Sequence, residues 1–134
     1  MNELARRSQI FKLEEVLKDL PQATPRLTHH FAEGLYVRAL YKKKGTVSTS
    51  KIHRYDCVTI MPSGHVRTVT TTQTEDVVEV YKGFAIFSSP AGSKRASVAL
   101  EDTIWITVHA NPDNERDVDK LEARLVTNNF EELS

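Results

Sequence analysis

Cysteine is nearly missing from this chain of 134 residues: Cys57 stands alone, so no internal disulfide can form. Net charge is missing too. Eighteen basic residues balance eighteen acidic ones, which removes the pull toward nucleic acid or membrane that a strongly basic chain would have. No apolar run reaches the roughly 18 residues that a membrane-crossing helix needs. The segment from Met1 to Arg7 lacks the apolar stretch of a secretory signal. With no signal and a single cysteine, the cytoplasm is the expected compartment. Internal repeats and low-complexity tracts are also absent. What remains fits one domain with enough chain for a true core.

The pattern predicts helices at the two ends and strands between them. Over residues 3 to 20, Ile10, Leu13, Leu17 and Leu20 recur at spacings of three and four with charges between them. Pro21 and Pro25 end that helix and impose an extended linker, so residues 1–25 form an N-terminal helix and linker. Residues 26–110 form the strand-rich body. Apolar and polar side chains alternate with period two over 34–41, 46–53, 56–61, 65–72, 77–82, 84–88, 94–100 and 103–109. Turn signals at Pro62-Ser63-Gly64, Lys82-Gly83 and Pro90-Ala91-Gly92 separate them. About eight such strands predict a mainly β fold, a β-sandwich or jelly roll. Residues 111–134 form a C-terminal helix and tail. The helix is expected over 114–126, with Val118, Leu121 and Leu125 on one face and acidic residues in its first turns.

Two segments carry a resemblance. In the first, five residues separate Gly45 from Lys51-Ile52-His53, Cys57 follows, and Gly64 comes seven positions after Cys57. The second opens at Gly83, runs through Phe84 to Phe87, and reaches Pro90-Ala91-Gly92 with Arg95 beyond. Together they resemble the two motifs of the cupin family over roughly residues 45 to 99, and the strands around them extend the likeness to about 34 to 109. Cupin motifs place a His-x-His pair and a glutamate in the first segment and a histidine in the second, and these hold a metal. Here Lys51 stands at the first histidine, Cys57 at the glutamate and Arg95 at the last histidine, and His53 remains. Six residues rather than five separate Gly83 from Pro90. The chain is also similar to short cupin-like proteins of bacteriophages and prophages, on His30-Phe31, Gly34 to Tyr36, Lys51-Ile52-His53, Ser89 to Gly92, and the run Glu101-Asp102-Thr103 with Trp105, Thr107 and His109.

The resemblance implies a pocket between two sheets, with Cys57 and Arg95 facing Lys51 and His53. Lys51 and His53 are two apart on one strand and so share a face. One imidazole, one thiol and two cations make a poor metal site, so no metal and no cofactor is expected. If a metal does bind, His53 and His109 are the candidate ligands. Lys51 and Arg95 suit an anion better, Arg95 by a two-pronged grip and Lys51 as a point charge. Arg54, Arg67 and Lys94 would form a positive rim. Tyr36, Tyr55 or Trp105 would stack on a planar ring.

Other groups have plainer uses. Glu101 and Asp102 read as a charged turn before a core strand. Cys57 has no assignable third partner for nucleophilic work. His29 and His30 fall in a loop, and His65 follows a turn glycine. The run from Lys42 to Gly45 is a solvated turn whose lack of interleaved aromatics makes nucleic acid an improbable partner.

The expected function is non-enzymatic binding of an anionic, nucleotide-like small molecule, with sequestration of a host signal as the setting that the phage likeness implies. The alternatives are a metal-dependent enzyme centred on His53 and a virion or assembly protein. A homo-oligomer is expected, with no membrane partner.

Overall fold

The structure is a computed structural model and describes residues 26–133. The helix expected over residues 3 to 20 lies outside the described residues. Within them the chain forms eleven strands, one α-helix and a short 3-10 turn. The first seven strands are β1 (Arg26–Ala32), β2 (Leu35–Lys42), β3 (Val47–Thr49), β4 (Ile52–His53), β5 (Cys57–Met61), β6 (His65–Thr71) and β7 (Asp76–Lys82). Then follow β8 (Ala85–Ser89), β9 (Lys94–Ala99), β10 (Thr103–Ala110), the helix α1 (Val118–Leu125) and β11 (Val126–Thr127).

Two antiparallel sheets make the jelly roll. One has the order β1-β2-β10-β5-β8, the other β3-β9-β6-β7, and β4 pairs only with β11. Period-two alternation sets which side chains enter the space between the sheets. On β10, Thr103, Trp105 and His109 are buried while Ala110 is exposed; on β5, Cys57, Thr59 and Met61 are buried around exposed Val58. Register aligns these rows, with Trp105 opposite Leu40, His109 opposite Tyr36, Thr107 opposite Thr59 and Cys57 opposite Ser89.

The core is apolar at one end of this space. There Met61, Val66 and Trp105 pack with Leu40, Tyr81, Ala85 and Phe87. Tyr81 stacks on Phe87 at 4.3 Å between centroids, and both meet Trp105 edge-on. At the other end α1 lays Leu121 and Leu125 over Tyr36, with Phe31 and Val126 around them. The α1 segment begins at the Asp117 cap, whose carboxylate accepts from the amides of Asp119 and Lys120. It is shorter than the spacing predicts because the preceding residues are held in turns. Asn114 takes a positive φ of 53°, and Asn111 exchanges hydrogen bonds with the Glu115 backbone.

Three elements differ from the expected strand set. Residues 26–32, including His29 and His30, form β1 rather than a loop. They add a strand beside β2, and the His29 ring accepts or donates a 2.7 Å hydrogen bond to the Tyr36 hydroxyl. The stretch 46–53 divides at Ser50-Lys51, so that β3 joins one sheet and β4 turns away to meet β11. The strand β11 extends directly from the helix and begins at Val126, the last residue of the expected helix. No described helix is long and apolar enough to cross a membrane.

Candidate functional site

The inner face of β2 supplies the unexpected part of the site. Counting by two from Tyr36 brings Arg38, Leu40 and Lys42 to the same face. Lys42 is only 8% exposed, its Nζ donates to the Ser97 hydroxyl at 3.2 Å, and it lies 5.1 Å from the centre of the Trp105 ring. Arg95 projects inward from β9. Its Nε donates to Thr70 Oγ1 at 3.0 Å and its Nη1 to Ser89 Oγ at 3.2 Å. Its guanidinium lies 5.3 Å from the Phe87 ring and 5.5 Å from that of Trp105. Two cations therefore share one indole, a cation–π arrangement that is strongest where water is excluded. Among the described residues no carboxylate forms an ion pair with Lys42, Arg95 or Arg38. Glu79, whose charge reaches Arg95, is exposed and accepts from the Tyr81 hydroxyl at 2.5 Å.

Towards α1 the lumen holds two imidazoles and the thiol. The rings of His53 and His109 stack at 6.2 Å, and His53 Nδ1 lies 3.9 Å from Cys57 Sγ. His109 Nε2 is 3.2 Å from the Thr107 hydroxyl. Burial dominates every proton affinity here. It pushes His53 down to about 4, helped by His109, Arg95 and Arg38, and His109 down to about 4, helped by Arg38. Burial, then Arg95 and Arg38, brings Lys42 down to about 8. Burial raises the Cys57 thiol against the opposing pull of Arg95, which keeps it protonated and a poor nucleophile.

These values imply a pH effect on stability. In the unfolded chain a histidine titrates near 6.5, whereas folded His53 and His109 titrate near 4. Between those values the unfolded chain binds more protons, so stability is lost as pH falls from about 6.5 towards 4. One such site approaches roughly 3 kcal/mol at full effect. Urea midpoints measured from pH 7.5 to 4.5 should fall steadily; a flat profile would show that neither imidazole is held neutral.

The other expected site residues are dispersed. Lys51 does not turn into the lumen: its ammonium pairs with Glu122 of α1 at 2.7 Å, and its side chain is 45% exposed. The reason is local, since β4 leaves its sheet for β11 and brings α1 alongside Lys51. Replacing Lys51 by alanine is expected to cost less than about 1 kcal/mol of stability, as exposed ion pairs do. Anion affinity should stay unchanged in that variant; a tenfold loss by calorimetry would return Lys51 to the site.

Tyr36 is core, 4% exposed under Leu121 and Leu125, and offers no open face. Arg67 is exposed on the outer side of β6, between Val80 and Val98. Lys94 is 2% exposed, with Nζ donating to the Ser50 carbonyl, and is no rim residue. Arg54 reaches the Val126 carbonyl. Tyr55 is open to solvent at 57% exposure. Glu101 and Asp102 are exposed, and Asp102 accepts from the Lys44 amide at 2.8 Å. Lys42 is the clear correction, since the run it begins is a solvated turn only from Lys43 onward.

Among the described residues, cavities also lie beside the C-terminal segment. One of about 410 Å³ is lined by Lys51, Arg54, Glu122 and Thr127 among others. Another, of about 240 Å³, lies among Phe31, Glu33, Asn111, Asn114 and Arg116.

The sequence matches no protein-family model and no curated protein. Solved structures do match. A cupin domain from Bordetella pertussis Tohama I aligns over 69% of this chain and 98% of its own, at 11% identity and a TM-score of 0.52. A conserved protein with a double-stranded β-helix domain from Klebsiella pneumoniae aligns over 75% and 89%, at 15% identity and a TM-score of 0.55. A mutant of Bacillus subtilis oxalate decarboxylase aligns over 83% of this chain but 31% of its own length, at 13% identity and a TM-score of 0.63. At these identities the likeness establishes the fold, a cupin jelly roll.

The cupin fold implies a metal, and the residues present do not suit one. Among the described residues no group of three or more histidine, cysteine or carboxylate side chains is gathered to hold an ion. His53, His109 and Cys57 come nearest, and Arg95 and Arg38 beside them repel a cation.

Proposed function

We propose that this cupin-fold chain is a non-enzymatic binding protein that holds a small anionic molecule in its lumen, between Lys42 and Arg95. One observation carries the reading: a buried lysine and a half-buried arginine flank Trp105 with neutral hydroxyls as their hydrogen-bond partners and no carboxylate in pairing range among the described residues. Such an arrangement is costly in a desolvated space unless a negative ligand compensates it. The hydroxyls of Ser97, Thr70 and Ser89 accept from the two cations, which keep further donors for the ligand.

The proposal extends to a nucleotide-like ligand only in one form. The Trp105 ring already carries cations, so its base would stack outside the lumen, with exposed Tyr55 as the available ring. Sequestration of such a molecule in a host cytoplasm is the setting that the likeness to phage proteins suggests. A contact role for the sandwich surface has a separate support: Val78 and Val80 on β7, Ile86 on β8 and Phe84 in the turn between them are each more than half exposed, which suits pairing with a second copy. Mass spectrometry of small molecules released from natively purified protein, with elemental analysis of the same sample, tests the proposal. A released anion without stoichiometric metal supports it. About one zinc, iron, manganese or nickel per chain would replace it with a metal enzyme centred on His53 and His109.

A further inference from the structure

Anion binding alone leaves one property of the lumen unused: Lys42 is an amine, not a guanidinium. Its Nζ donates to a neutral hydroxyl, Ser97 Oγ, which lies 3.2 Å from Ser48 Oγ. A second cation, Arg95, stands over the same indole. A lysine that is desolvated beside another positive group is the arrangement that makes an amine nucleophilic at neutral pH. The shift of Lys42 to about 8 leaves roughly a tenth of it unprotonated at pH 7. No other described lysine combines these features. Lys43, Lys44 and Lys82 are exposed, Lys51 is ion-paired, Lys120 faces solvent, and Lys94 Nζ donates to a backbone carbonyl.

We propose that the lumen takes a small oxo acid, and that Lys42 forms a reversible imine with its carbonyl carbon while Arg95 holds its carboxylate. The step rests on the anion reading above, since Arg95 must first bind the carboxylate. The Nζ lone pair forms the new C–N bond, and the carbonyl π bond breaks onto oxygen to give a carbinolamine. The amine then loses its protons and the carbinolamine oxygen leaves as water. Ser97 and Ser48 form the hydroxyl pair that relays those protons. Amine and carbonyl give imine and water, so no oxidant or reductant is consumed. The adduct is a bound state, and hydrolysis returns the ligand unchanged.

The test uses the full chain with pyruvate at pH 7.5 and cyanoborohydride, followed by intact mass and peptide mapping. A single reduced adduct at Lys42 is expected. Acetone, which lacks the carboxylate, should label at least tenfold more slowly, and Lys42→Arg should abolish the adduct. Labelling spread over Lys43, Lys44 and other exposed lysines at equal rates would overturn the proposal. Calorimetry with pyruvate and with propionate separates the two readings. Binding of both without any adduct would discard the imine and keep the anion site, whereas no binding of either would remove both. Because mapping is done on the wild-type chain, the result does not depend on any variant folding.

Discussion

Replacing Arg95 by alanine is expected to weaken anion binding by about tenfold to a hundredfold, because a hydrogen bond to a charged group contributes roughly 1.5 to 3 kcal/mol. Arg95→Lys should lose less, since it keeps a charge near Trp105 but gives up the planar fork that Thr70 and Ser89 orient. Stability should move the other way. Arg95 is desolvated and without a carboxylate, so in the absence of ligand its removal relieves repulsion with Lys42 and lets the folded lysine titrate nearer its ordinary value. A variant that binds worse and is no less stable is the signature of a group held for ligand. Calorimetric titration with phosphate, small carboxylates, sugar phosphates and nucleotides reads the first effect, and urea unfolding reads the second. Equal affinity in Arg95→Ala would leave the cationic lumen as structure alone.

The second large effect concerns the frame behind the site. Gly64→Ala is expected to cost roughly 3 kcal/mol or more, and so to lower Tm by about ten degrees. Gly64 sits at φ 132°, and a Cβ there would fall 2.4 Å from Thr103 Oγ1 and 2.7 Å from Thr103 Cα. Backbone cannot retreat as a flexible side chain would. The same turn is held by the Ile104 amide on the Ser63 carbonyl and the Gly83 amide on the Gly64 carbonyl. Thr103 in turn opposes Lys42 in the β2–β10 register, so a forced shift there would also move the lysine. Thermal unfolding of the variant checks the first claim; a Tm within two or three degrees of wild type would show that the turn relaxes freely.

Much of the fold was legible because half-buried strands leave a period-two trace. The eight alternating stretches all correspond to strands, and the turn triplets fall between them. β1 escaped because Arg26 to Ala32 mixes histidines with a single Leu27 and Phe31. Its pairing comes from the neighbouring strand β2 and not from its own pattern. The break between β3 and β4 escaped for a similar reason: β4 finds its partner in residues 126–127, far along the chain.

The site was legible in part. Trp105, His53, Cys57 and Arg95 all line or border the lumen, and motif spacing is what pointed to them. Lys51 shares the motif but meets Glu122, a contact that needs α1 in place and has no sequence signal. Lys42 did have a signal. Counting by two from Tyr36 reaches it, yet it opens a lysine triplet whose composition reads as solvent-facing. Composition won over periodicity there, and the wrong cue prevailed because a buried lysine is rare.

The most direct measurement uses the sole tryptophan of the chain, Trp105, as its own reporter. Because Lys42 and Arg95 both stand over its ring, an anion drawn between them must change the field at the indole. Emission should shift saturably on titration with phosphate or a small carboxylate at constant ionic strength, with a defined midpoint. In Lys42→Met and Arg95→Met the midpoint should rise at least tenfold. A linear, non-saturating response that is the same in both variants and wild type would contradict an anion site in the lumen.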